Sequence, residues 1–184
     1  MRLFSKILSL LISINAFAMP AKVIILRHAE KDPVGNTLNS RGYARAQALI
    51  GFFKKTPVIN EDGPPTVIFA ANPLEATSSV RPIETVTPLA QSLNLKIDLD
   101  FQKTSVNNLV SAVLTSPALD HHVIVICWVR ESIIDLLQSF GVKNIPAPWP
   151  SDLFDRAMIL DFNQSGLIQY RNISQHLLPG DTEN

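Results

Sequence analysis

The sequence predicts an α/β fold: a three-layer α/β/α sandwich around a mostly parallel sheet. Three observations predict it. Short continuous apolar runs recur at 23–26, 67–69 and 123–126, the pattern of strands covered on both faces. Longer stretches between them repeat their apolar residues with helical period. The chain then closes on two segments flanking Asn163-Gln164-Ser165-Gly166, which reads as an edge hairpin. A length of 184 residues suits one domain with a full core.

Taken in order, the first strand is 22–26, followed by a polar, glycine-containing loop over 31–39. Ser40 is the candidate cap of a helix through Phe53, with Ala44, Ala48 and Leu49 on its apolar face. A second strand spans 66–70. Asn72-Pro73 turns the chain, and Ser78 or Ser79 is placed to cap a helix to Ser92 that carries Arg81 and Pro82 in its first turn. A short strand at 96–99, a helix at 105–115 and a strand at 122–127 follow. Residues 130–140 read as a helix stopped by Gly141, and 157–162 with 166–170 form the hairpin.

Composition excludes several functions. Residues 1–18 carry Arg2 and Lys6, an apolar run and Ala16-Phe17-Ala18, the pattern of a cleaved export signal. The apolar run is well short of the roughly 20 residues that span a bilayer. The expected protein is therefore a single domain over 19–184, periplasmic or secreted, with no stable membrane span. Without Arg2 and Lys6 it holds 14 Lys+Arg against 16 Asp+Glu, and no basic tract that could track nucleic acid. A lone cysteine, Cys127, excludes a disulfide framework. Zinc-ligand spacing is absent and no G-x-G-x-x-G follows the first strand, so no metal or cofactor is expected.

The chemistry points to the tip of the first strand. Val23 to Leu26 delivers Arg27-His28-Ala29-Glu30-Lys31 to the mouth of the sheet. Neutral histidine is a nucleophile, and guanidinium forks hold phosphoryl oxygens with paired hydrogen bonds. Arg81, in the first turn of the helix after the second strand, would complete two sides of a phosphate cage. The alternatives are rim salt bridges for Arg27 and Arg81 and a structural imidazole for His28.

At this point the chain resembles the histidine phosphatase superfamily, with its phosphoglycerate-mutase-like fold, and within it the small bacterial members that open L-R-H-A-E-K. The resemblance is carried by VIILRHAEK, by LNSRGYARAQAL, by the Ser-x-x-Arg-x-x-x-Thr pattern ending in Arg81 and Thr85, by VIVICWVRESIIDLLQSFG, and by PAPWPSDLFDRAMIL. It implies that His28 is transiently phosphorylated while Arg27 and Arg81 hold the phosphoryl group. A second histidine is expected after Cys127-Trp128, and Arg130 stands in its place. His121 and His122 cannot substitute, since a six-residue strand separates its ends by about 20 Å.

Arg130 would preserve anion affinity while disturbing alignment, and an added cation would hold His28 neutral. Glu30 and Glu75 are the candidate general acids. The resemblance thus implies hydrolysis of a phosphomonoester or phosphohistidine through a phosphohistidine on His28, with a phosphorylated small molecule or phosphoprotein as partner. The alternative is a pseudophosphatase that binds such a ligand without turnover. Mutase chemistry is less favoured, because little inserted sequence is present to enclose and reorient an intermediate.

Overall fold

The first strand, β1 (Lys22–Arg27), is buried along its whole length, with the apolar run Val23 to Leu26 at its centre covered on both faces. A computed structural model describes residues 19–75, 78–145 and 149–182; the proposed export signal and Pro146 to Pro148 lie outside them. After β1 come α1 (Ser40–Lys55), α2 (Pro57–Asn60), β2 (Val67–Ala70), α3 (Arg81–Leu93), β3 (Ile97–Asp98) and α4 (Val106–Thr115). β4 (Val123–Trp128), α5 (Ile133–Ser139), β5 (Arg156–Asn163) and β6 (Gly166–Ser174) complete the chain.

The six strands are ordered β3-β2-β4-β1-β5-β6. β3, β2, β4 and β1 run parallel, while β5 pairs antiparallel with both β1 and β6. Alternate residues of each strand feed opposite faces. Val23, Ile25, Ile124 and Ile126 join the core under α4 and α5. Ile24, Leu26, Ile68 and Val125 join a separate core under α1 and α3. The three-layer α/β/α sandwich expected from the sequence is the fold observed.

This topology positions the site. The neighbours β1 and β4 send their following helices to opposite faces, which opens a crevice beyond their carboxyl ends. The loop before β5 crosses the same end, because β5 runs against β1 and starts where β1 finishes.

Two cap assignments change. Asn39, not Ser40, caps α1: its side chain accepts the Gly42 N–H at 2.8 Å. α3 begins two residues after Ser79, at Arg81, with Val80 in the cap position and no side-chain cap. Pro82 in its first turn lowers the need for one, since proline has no N–H to satisfy. The segment expected as one helix over 130–140 starts as a tight 3₁₀ turn, Arg130–Ser132, before α5. Gly141, at φ 94°, ends it as the left-handed terminator the sequence suggested.

Gly42 shows why α1 packs where it does. A Cβ there would collide with the Glu30 carbonyl oxygen, so only glycine lets the helix start sit against the chain leaving β1. Asn39 donates its own N–H to that carbonyl at 3.0 Å. Among the described residues, no helix is long and apolar enough to cross a membrane.

Candidate active site

Beyond the carboxyl ends of β1, β2 and β4 lies a cavity of about 310 Å³. His28 sits in its wall, buried, with its backbone still continuing the sheet through a 3.0 Å bond from its N–H to Trp128 O. Its Nδ1 lies 2.8 Å from Ala29 O. A carbonyl only accepts, so Nδ1 carries the proton and Nε2 holds the lone pair. Burial lowers the imidazole pKa to about 4 against the opposing pull of the Ala29 bond, and Arg27 and Arg81 lower it further. His28 is therefore neutral at pH 7. Arg130 also acts on Arg27, whose pKa is lowered to about 10 by burial first and Arg130 second.

Each arginine is held by backbone carbonyls. Arg27 Nη1 donates to Pro150 O at 3.2 Å and Leu153 O at 2.8 Å, and Nη2 to Ser151 O at 3.0 Å. Its guanidinium carbon lies 3.8 Å from the Phe154 ring centroid, a cation–π contact. Arg27 Nε remains buried without a partner among the described residues.

Arg81 donates from Nε to Thr37 O at 3.1 Å and from Nη2 to Gly35 O at 2.5 Å. Its own carbonyl accepts from Thr85 Oγ1 at 2.7 Å, and that hydroxyl also accepts the Ala29 N–H at 2.9 Å. Thr85 thus ties the first turn of α3 to the residue after His28. That link is the physical content of the Arg-x-x-x-Thr spacing.

Arg130 donates weakly to Trp149 O at 3.4 Å and pairs with Glu131 at 3.3 Å. Arg27, His28, Arg81 and Arg130 therefore line one cavity, together with Lys31, Lys103, Ser79 and Glu131. His121 and His122 lie at the start of β4, where His122 Nδ1 meets Thr66 Oγ1 at 2.8 Å, away from the cavity. No group of His, Cys, Asp and Glu suited to a metal ion occurs among the described residues.

Neither candidate acid lines the cavity. Glu30 turns away, toward α1, where it meets Arg45 at 2.7 Å and Arg41 at 3.0 Å. Burial opposes its ionised form, but the bonds from Arg45 prevail and its pKa is lowered. A carboxylate held ionised by two arginines cannot protonate a leaving group, so Glu30 does not serve as the acid expected from the sequence. Glu75 is exposed in the loop between the lining residues Leu74 and Ser78 and does not itself line the cavity.

Several site residues were not foreseen. Glu131 reaches the cavity from the 3₁₀ turn and is ionised: burial raises its pKa, while its backbone and Arg130 outweigh that and lower it. The offset from Arg130 was the available signal. Ser79, expected as a helix cap, presents a buried hydroxyl without a partner among the described residues. Lys103 and Phe154 come from aperiodic loops, where spacing carries no signal.

The fold matches that of the histidine phosphatase and phosphoglycerate-mutase-like superfamily at low sequence identity. Two solved structures carry the comparison. The candidate phosphohistidine phosphatase SixA from Agrobacterium tumefaciens matches with a TM-score of 0.54 at 17% identity, covering 83% of this chain and 98% of that one. A candidate alpha-ribazole-5'-P phosphatase from Escherichia coli K-12 matches with a TM-score of 0.51 at 13% identity, covering 88% and 100%. Neither a family model nor a curated protein sequence matches the chain.

Proposed function

We propose that this chain is an exported phosphohydrolase that acts on a phosphomonoester or phosphohistidine through a phosphohistidine on His28. The observation that carries the reading is the fixed tautomer: Nδ1 is committed to Ala29 O, which leaves a neutral Nε2 as the nucleophile in a cavity lined by three guanidinium groups. The two solved structures sharing the fold are named as phosphatases, which agrees with this chemistry.

Nε2 attacks phosphorus in line, and the leaving oxygen departs with the electrons of the broken P–O bond. Arg27, Arg81 and Arg130 balance the charge on the equatorial oxygens. Water then attacks the phosphohistidine and gives its proton to the Glu131 carboxylate. The P–N bond breaks, and its electron pair returns to Nε2.

The test is incubation of the purified protein with an aryl phosphate, with acid-labile phosphate trapped on the enzyme. Wild type should turn over and label, and His28→Ala should do neither. A correctly folded protein that hydrolyses no aryl phosphate over a broad pH range would sink the reading.

One observation favours a second reading. Arg130 stands where the resemblance expects a histidine, and it is a permanent cation that cannot trade a proton. A pseudophosphatase would bind orthophosphate through the same arginines without labelling His28.

A further inference from the structure

The charge on the cavity wall exceeds what one phosphoryl group requires. Among the described residues, five cationic side chains, Arg27, Lys31, Arg81, Lys103 and Arg130, line it against the single carboxylate of Glu131, leaving four positive charges with His28 neutral. A phosphoryl dianion offsets two of them. Other carboxylates lie outside the lining: Asp32 accepts the Val34 and Gly35 N–H groups, Asp152 lines a neighbouring cavity, and Glu75 is exposed.

The unused charge belongs to the lysines. Lys31 and Lys103 form no ion pair among the described residues, while Glu30 and Asp181 are paired with Arg41 and Arg45. Their backbones are nevertheless pinned. Lys31 O accepts from Asn39 Nδ2 at 3.1 Å. Lys103 O accepts from Trp128 Nε1 at 3.1 Å and Ser132 Oγ at 3.2 Å. Each lysine thus joins the cavity lining from an anchored backbone and carries its ammonium group on a flexible stem, which suits capture of a mobile anion.

Leaving-group chemistry points the same way. Glu131 is paired with Arg130 and Glu30 is locked into its own ion network, so among phosphoryl compounds the cavity wall favours one whose leaving group departs without a proton. A departing phosphate needs no proton. The cavity volume, about 310 Å³, also lies near the low end of small-molecule sites, which run from roughly 300 to 1,000 Å³.

We infer that the site takes a ligand with two adjoining phosphoryl groups joined as a phosphoanhydride, the terminal one before His28 and the second beside Lys31 and Lys103. The inference rests on the phosphohydrolase reading of the same cavity. In the reaction, Nε2 bonds to the terminal phosphorus as the bond to the bridging oxygen breaks. That oxygen keeps the electron pair and leaves with the second phosphoryl group.

Calorimetry with inorganic pyrophosphate and orthophosphate tests it, at about 0.15 M ionic strength, where charges are screened beyond about 8 Å. Wild type should bind pyrophosphate at least about tenfold more tightly, a difference of roughly 1.4 kcal/mol. Lys31→Ala/Lys103→Ala should reduce that preference to within about threefold. Lys54→Ala/Lys55→Ala, which removes the same charge from the end of α1, should keep it. Equal affinity for both anions in wild type, or a preference that survives the first double substitution, overturns the inference. Failure to bind either anion overturns the phosphohydrolase reading with it. Selective pyrophosphate binding without turnover of any phosphate leaves the two-phosphoryl site standing and removes catalysis.

Discussion

Two arginine clusters flank the chain that leaves β1, and they are built on opposite rules. On the α1 side, Arg45 is buried and faces carboxylates, with Glu30 and Asp181 each at 2.7 Å. On the cavity side, Arg27 is equally buried but meets carbonyls from Pro150, Ser151 and Leu153, and Arg81 meets those of Gly35 and Thr37. A carboxylate both positions a guanidinium and cancels its charge. A carbonyl positions it and leaves the charge in place. The first cluster is thereby a structural tie, and the second holds cations ready for an anion from outside.

The sharpest way to break this contrast is Arg45→Ala. It leaves Glu30 and Asp181 without their main cation, and removing one partner of a buried pair costs about 3–5 kcal/mol. Denaturant unfolding should show that loss; a cost under about 1 kcal/mol would mean the network is solvated rather than structural.

The next effect concerns pH. The folded protein holds His28 at a pKa of about 4, against 6.5 as the ordinary value. As pH falls from about 6.5 toward 4, the unfolded chain binds a proton that the folded state excludes, so stability falls by about 3 kcal/mol. His28→Gln should flatten that part of the stability curve. The acid limb of kcat/KM should correspondingly lie near pH 4 rather than 6.5. The carboxylates of Glu30 and Asp181 act in a lower window: their pKa values are depressed by Arg45 against burial, so their contribution is present above the ordinary carboxylate range and is lost as pH falls through the folded values.

Arg81→Ala should separate binding from folding. Orthophosphate affinity should drop about tenfold or more, since a hydrogen bond to a charged group contributes roughly 1.5–3 kcal/mol. Stability should change by less than about 1 kcal/mol, because the freed carbonyls near the surface can take water. A large stability loss with unchanged affinity would make Arg81 a strut for the loop over 31–39. The smallest effect expected is from Arg130→His, which should raise turnover roughly tenfold, about 1.4 kcal/mol of barrier. Unchanged turnover in single-turnover kinetics would show that Arg130 does not limit the chemistry.

The sheet was legible because its central runs, Val23 to Leu26 in β1 and all of β4, are continuously apolar, buried at every position and too short for helices. The helix starts were less legible, since Asn39 and Ser40 are both good caps and only geometry shows which side chain reaches the Gly42 N–H. At the site, Arg27, His28, Arg81 and Arg130 were placed by strand ends and helix starts, and the structure gathers them around one cavity. Glu30 was misread because it lies three residues beyond β1, where strand alternation no longer fixes the direction of a side chain, and it faces Arg45. Glu131, Lys103 and Phe154 arrive on loops, whose paths are set by tertiary contacts rather than by local pattern.

The carbonyl-rich loop ahead of β5 has an optical consequence. Both tryptophans of the chain are hydrogen-bonded to residues that line the cavity. Trp149 accepts from Arg130 through its carbonyl and donates its indole N–H to Leu153 O, which also holds Arg27. Trp128 donates its indole to the backbone of Lys103. An anion drawing on Arg27, Arg130 or Lys103 pulls on the surroundings of an indole, so intrinsic fluorescence should titrate with occupancy, and Trp149→Phe should remove the part of the signal that reports on the arginines.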